Sequence, residues 1–416
     1  MTQITSLITA PASTGFFSDD QEAVRQGAVH DGFAYVGNPV TRGFERIRQP
    51  GEALAVLLTL EDGQVAHGDC ASVQYAGVGG RAQVFTTTLG QTQVEQLAPT
   101  LVGAPTASFR DLDQRIATAH PDLHPAVQYG VSQALLHAAA LASHRTIAEQ
   151  VRHEYGIEPP LRRIPVFAQT GEQRHEHVDK MILRRLDVLP HGLLNSVDLI
   201  GLDGAALREY VAWVAGRVRD LGGSDYEPVL HFDVYGTLGL ITDNDLVRVA
   251  DHIAALSELT LGLRLRVEGP VDLGGREAQI DGLGTIRDRL RQVGSAVEIV
   301  ADEWCNDLDD VRAFVAAGAV DMIQVKTPDL GSVASTIEAL LHCRRNSVGA
   351  YSGGTCNETD RSAQVSTQVA MACGADQTLA KPGMGVDEGF MIVSNEMARV
   401  LALSGRPGAS VAAAPR

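Results

Sequence analysis

The sequence predicts an α/β protein: a TIM-like (β/α)8 barrel over residues 161–403, preceded by an N-terminal α+β capping domain over residues 1–160. Three observations predict it. From Ile164 onward, eight short apolar runs alternate with stretches whose apolar residues recur at helical spacing. Three consecutive runs, VLHFDVYG, LRLRVEGP and VEIVADEW, close on the acids Asp233, Glu268 and Asp302, spaced 35 and 34 residues apart, an interval that suits a repeated strand-plus-helix unit. The next run, DMIQVKTP, ends on a lysine, Lys326.

In chain order, the first half reads as a strand-like EALAVLLTLEDGQVAHGDC, a glycine-rich AGVGGR loop and a helical ALLHAAALASHRTIAEQVRHEYG. A lone glycine-rich loop is a weak phosphate signal, so AGVGGR reads better as a lid over the barrel mouth. Pro159 and Pro160 break the helix and set the boundary near residue 160. The eight strands expected beyond it are IPVFAQT, LPHGLLN, VLHFDVYG, LRLRVEGP, VEIVADEW, DMIQVKTP, VGAYSGGT and QTLAKPG. Between them, LVRVADHIAALSEL, DVRAFVAAG, SVASTIEALLHCRR and RSAQVSTQVAMACG carry the helices of the outer ring, and the short first interval suggests an irregular helix there. Residues 404–416, SGRPGASVAAAPR, read as a flexible tail. An open doubly wound sheet competes with this architecture, but its GxGxxG turn after the first strand is missing.

A length of 416 residues with 44% hydrophobic content supplies more than one core, and a formal charge of −17 without a basic run argues against a nucleic-acid partner. No stretch approaches bilayer-spanning length and no basic leader precedes the first apolar stretch, so the expectation is a soluble cytoplasmic protein with no membrane partner. Cys70, Cys305, Cys343, Cys356 and Cys373 form no CxxC pair, which suggests free thiols rather than a zinc site. His175 and His177 in RHEHVDK are two residues apart and read as a solvated helix surface.

In a barrel of this class chemistry gathers at the strand C-terminal ends, where Gln169, His191, Asp233, Glu268, Asp302, Gln324, Lys326, Thr355 and Lys381 should converge. Taken singly, each acid reads better as a strand-end residue capping the next helix; three in successive units followed by a lysine favour a hard-cation site for Mg2+. Gln324 and Lys326 share a strand face. Lys326 is then either a base beside the cation, suited to removing a proton alpha to a carboxylate, or an ion-pair partner that ties the barrel together. His191 could act from the opposite face, although a lone histidine is more often structural. Thr355 and Glu358 have capping-box spacing, and the free N–H groups there, at Thr355 and Cys356, could hold a substrate carboxylate. Cys356 has no evident base partner and reads as a binding residue.

GDCASVQYAGVGGR, PVFAQTGEQ, VDKMILRRLDVLPHGLLN, HFDVYGTLG, VEGPVD, VADEWCND, IQVKTPDLG, YSGGTCNETD and KPGMGVDEG together resemble the methylaspartate ammonia-lyase family of the enolase superfamily, through nearly the whole chain. The resemblance implies reversible elimination of ammonia from L-threo-3-methylaspartate, an amino diacid, to mesaconate. It implies Mg2+ on Asp233, Glu268 and Asp302, K+ as an activator, and a homodimer. Lys326 is then the base for the C3 proton and His191 the opposite-face residue, with Gln324 and His191 on the carboxylate at the metal. Gln74, Gln169, Thr355 and Cys356 resemble the positions that hold the other carboxylate and the amino group; Phe167, Tyr351 and Leu379 resemble the surroundings of the methyl group. Ser352 departs from the family pattern, where a larger polar residue is expected. Other superfamily reactions (dehydration, racemisation, cycloisomerisation) would share the metal site, but the second strand lacks the paired lysines of the cycloisomerase and racemase-like groups. A Schiff-base aldolase using Lys326, or a barrel that only binds, are the readings from other classes.

Overall fold

The computed structural model describes residues 2–405. Of the segment read as a tail, Ser404 closes the last helix and residues 406–416 lie outside the described residues.

The first half is built on a three-stranded antiparallel sheet of β1 (Ile4–Asp19), β4 (Arg48–Leu60) and β5 (Val65–Cys70), in the order β1-β4-β5, with a small hairpin of β2 (Val29–Asp31) and β3 (Ala34–Val36) beside it. Along β4 the buried Leu54, Val56, Leu58 and Leu60 alternate with more exposed Ala55, Leu57 and Thr59, the period-two pattern of a sheet with one covered face. The cover is the helix Pro125–Ala142, rich in alanine and almost wholly buried. Its approach to β5 is backbone to backbone: a Cβ on Gly130 would lie 2.4 Å from Cys70 N, and one on Gly68 2.4 Å from Gly130 O. Only glycine at both positions permits this separation.

The second half closes into an eight-stranded, all-parallel barrel. Its strands are β6 (Val166–Ala168), β7 (Val188–His191), β8 (Val229–Asp233), β9 (Leu265–Glu268), β10 (Glu298–Ala301), β11 (Met322–Val325), β12 (Gly349–Ser352) and β13 (Gln377–Ala380), with β13 pairing β6. Seven fall within their expected runs and β7 begins one residue before LPHGLLN, and nearly every strand residue is buried, as strands enclosed on both faces require. The outer helices include Arg174–Leu183, so the short first interval holds a regular ten-residue helix rather than the irregular one expected. The eighth, Asp387–Ser404, returns against β6 and β13. One continuous apolar cluster runs from Leu54 and Leu58 of the sheet through Leu135 to Val325 and Val369 of the barrel. The two halves therefore share their packing. No described helix is long and apolar enough to cross a membrane.

Candidate active site

The three acids arrive as the spacing predicts. Asp233 and Glu268 are the last residues of β8 and β9, and Asp302 follows β10 by one residue. One carboxylate oxygen from each lies within 4.8 Å of the other two, and all three side chains are buried. Burial and the mutual repulsion of the carboxylates push Glu268 up to about 7 and Asp233 well above the usual range. Asp302 is drawn down against its burial by Lys326 and Arg81. Three desolvated hard oxygens that resist ionising together fit a divalent cation, which removes the repulsion and takes oxygen ligands at this geometry.

Glu268 is the most constrained of the three. It accepts from Tyr351 Oη at 2.7 and 2.9 Å, from His231 Nε2 at 2.7 Å and from Gln324 Nε2. Lys326, one residue past β11, sets its ammonium against Asp302. The acid–lysine ion pair and the site by the cation, open alternatives in the sequence, are thus the same location. His191 ends β7, opposite β11 in the closed barrel, with Nε2 3.6 Å from Asp233 Oδ2 and Nδ1 without a partner. Burial pushes its imidazole down to about 4, so it is neutral at pH 7. His191, Gly192 and Leu193 all have positive φ (65°, 97° and 47°), a strained bend of the kind that accumulates at functional sites.

A small cavity at this strand end is lined by Gln74, Gln169, His191, Asp233, Asp302, Gln324, Lys326, Thr355, Cys356 and Leu379. Gln74 is fixed from three sides: its N–H donates to Thr355 Oγ1 (3.2 Å), its amide to Asp19 Oδ2 (3.0 Å), and its carbonyl accepts from Cys356 Sγ (3.3 Å). Burial pushes the Cys356 thiol up to about 12, which suits a donor and not a nucleophile. Phe167 and Tyr351 do not line the cavity. They belong with Val188, Val229 and Met322 to the apolar barrel interior, Tyr351 directing its hydroxyl at Glu268. Ser352 is also fully buried. A larger depression lined by Pro159, Arg344 and Asp376 lies by the N-terminal ends of β12 and β13, away from these groups.

One local expectation fails. Thr355 and Glu358 do not form a capping box; the helix Asp360–Cys373 is capped a turn later, by Thr359 with Ser362. Glu358 is instead spent on a buried ion pair with Lys381 (3.0 Å) and on hydrogen bonds from Tyr129 Oη and Thr327 Oγ1, both 2.8 Å. Lys381 accordingly lies behind the site, donating to Gly353 O, and is not at the cavity.

Several residues went unread. Arg81, at the end of AGVGGR, enters the mouth from the first half and faces Asp302 (3.5 Å) and Asp329 (3.3 Å). Its loop is pinned to the barrel by Asn306 Nδ2 on Gly79 O at 2.8 Å. Glu303, pushed up to about 7 by burial and Asp302, has a buried oxygen without a partner. The one sequence signal for Arg81 was a cation closing a glycine-rich loop already assigned to the mouth.

Two family models divide the chain between them: methylaspartate ammonia-lyase N-terminus over residues 2–156 and C-terminus over residues 160–406. The chain belongs to the methylaspartate ammonia-lyase family. It is 48% identical to the methylaspartate ammonia-lyase of Clostridium tetanomorphum over 410 residues, 97% of this chain and 99% of that one. A solved Mg complex of β-methylaspartase from that organism superposes with a TM-score of 0.91, covering 97% of this chain and 99% of that one. The Citrobacter amalonaticus methylaspartate ammonia-lyase, solved containing (2S,3S)-3-methylaspartic acid, matches at 0.93 and 46% identity over 96% and 99%. Beyond the family, muconate lactonizing enzyme from Pseudomonas fluorescens shares the fold at 15% identity, with a TM-score of 0.62 over 90% and 87% of the chains.

Proposed function

We propose that this protein is a carbon–nitrogen lyase that reversibly eliminates ammonia from L-threo-3-methylaspartate to give mesaconate, with Mg2+ held by Asp233, Glu268 and Asp302. The observation that carries the reading is Lys326 set against Asp302 within a buried acid triad, in a member of this family. Removing the C3 proton places a second negative charge on the adjacent carboxylate. The bound cation supplies the charge that offsets it.

The chain's own groups do the rest. Lys326 Nζ, in its neutral form, takes the C3 proton, and the electron pair left behind forms the C2–C3 double bond as the C2–N bond breaks and ammonia leaves. His191, opposite Lys326 across the barrel, serves with Gln324 as a partner of the carboxylate beside the cation. Gln74, Gln169, Thr355 and Cys356 hold the second carboxylate and the amino group. Leu379 bounds the methyl group, since it alone of the three apolar candidates reaches the cavity wall. We assign K+ as the activating monovalent cation, a homodimer as the assembly, the cytoplasm as the location, and a division into two units near residue 160.

The test is ultraviolet absorbance of the conjugated diacid, with L-threo-3-methylaspartate, with and without Mg2+, for the wild type and Lys326→Ala. Metal-dependent growth of absorbance that the variant loses by at least about 1,000-fold is expected of an essential base. A folded, Mg2+-binding wild type with no absorbance change would sink the assigned reaction.

A further inference from the structure

The barrel interior below the triad is not purely apolar. Four strands contribute a polar side chain each, from the N-terminal rim up to Glu268. Glu298 Oε2 on β10 accepts from Arg266 Nε on β9 at 2.5 Å, and Arg266 Nη1 lies 2.6 Å from Gln377 Oε1 on β13. Gln377 Nε2 lies 3.2 Å from Nδ1 of His231 on β8, whose Nε2 lies 2.7 Å from Glu268 Oε2. His231 and Gln377 are fully buried, and Phe167 stacks on the imidazole at 4.4 Å with the rings 15° apart.

The direction of every bond in this chain is forced. A guanidinium only donates, so the Gln377 carbonyl must face Arg266 and its NH2 must face the imidazole. His231 Nδ1 therefore accepts, the ring hydrogen sits on Nε2, and that nitrogen donates to Glu268. Phe167 holds the ring plane. Neighbouring interior positions are filled by Val188, Val229, Val300 and Met322, so apolar packing was open to these sites as well. Burying a fully paired polar chain where an apolar residue would pack gains little stability. Its distinctive product is a carboxylate fixed in orientation.

We propose that Arg266, Gln377 and His231 form a positioning relay that holds the Glu268 carboxylate in register for the divalent cation, with His231 as the positioning residue that sets cation affinity. The inference rests on the cation reading above. Partners of this kind, one bond behind a ligand, typically control affinity by about 10- to 100-fold.

Calorimetric titration of the full chain with Mg2+ alone tests it, using wild type, His231→Phe, His231→Gln and Gln377→Met, each with its metal-free melting temperature. His231→Phe keeps the ring and its stacking but loses the donor, and is expected to weaken Mg2+ about 10- to 100-fold. His231→Gln keeps an N–H near the Nε2 position, and should recover binding to within roughly threefold of wild type. A ring that only filled space would give the reverse order, with Phe tolerated and Gln not. That reversal, or His231→Phe binding within about twofold of wild type, overturns the relay. Should His231→Phe not fold, Gln377→Met carries the test, since it frees the ring without touching it; unchanged affinity there overturns the proposal equally. A wild type that does not bind Mg2+ overturns the cation reading itself, and so is told apart from failure of the relay.

Discussion

Cys356 lines the small cavity at the strand ends with its thiol pushed up to about 12 by burial, and donates to Gln74 Oε1 at 3.3 Å. The thiolate is the reactive form, so iodoacetamide at pH 8 is expected to leave Cys356 unmodified in the native protein, and mass spectrometry of the digested chain reads this directly. Alkylation there at the rate of a free thiol would contradict the assigned environment. The residues that were legible in sequence share one property: Asp233, Glu268, Asp302 and Lys326 stand at strand ends, and the strand ends could be counted. Residues whose role depends on a distant partner were not legible. His231 lies two positions before Asp233 and so faces the same way, but Gln377, which fixes its hydrogen, is 146 residues further on. Tyr351 was likewise placed on the correct strand, but its hydrogen bond to Glu268 was not legible, because nothing beside it in sequence announces that partner.

At the scale of elements, boundaries followed local rules except where tertiary contacts outbid them. Both Thr355 and Thr359 carry N-cap chemistry, and the spacing of Thr355 to Glu358 favoured the earlier one. The choice is made by Lys381, Tyr129 and Thr327, which claim the Glu358 carboxylate from the segment after β13, the helix Pro125–Ala142 and the segment after β11. The helix Pro125–Ala142 offers a cleaner contest between local and tertiary terms. Gly130→Ala improves helix propensity by about 1 kcal/mol. Its Cβ would meet backbone atoms of Cys70 at 2.4 Å, and backbone cannot swing aside as a side-chain tip can. Overpacking of this sort costs about 1–3 kcal/mol, so the variant should be less stable despite the better helix former. A lower denaturant midpoint checks it; a higher one would mean that the helix slides off β5 at little cost.

Across the whole molecule, the two halves meet in charge as well as in apolar packing. Arg81 crosses from the first half to Asp302 and Asp329, and while Asp302 keeps Lys326, Asp329 has no other ion-pair partner among the described residues. Arg81→Met therefore strands the buried Asp329 carboxylate and should cost about 3–5 kcal/mol in denaturation, more than the same change at the exposed Arg312. A second junction joins His67 on β5, His137 on the helix Pro125–Ala142 and Arg361 on the barrel helix Asp360–Cys373, whose Nε donates to His67 O at 3.1 Å. His137 Nδ1 accepts from His67 N at 3.1 Å. Burial, the Arg361 guanidinium and His67 push the His137 imidazole down to about 3, and burial with Arg361 lowers His67 too, although Asp69 and Asp360 pull the other way there. The unfolded chain, whose histidines titrate near pH 6.5, therefore binds more protons than the folded one below that pH. The stability these groups contribute is complete above about pH 6.5 and is lost as pH falls towards about 3. For His137 alone its size is on the order of a few kcal/mol. His137→Asn keeps an acceptor for the His67 N–H but cannot be protonated. Between pH 6.5 and 4 its denaturant midpoint should therefore fall less steeply than that of the wild type, by about one proton in the linkage slope. Parallel slopes would place the acid sensitivity of the molecule elsewhere, away from the junction of its halves.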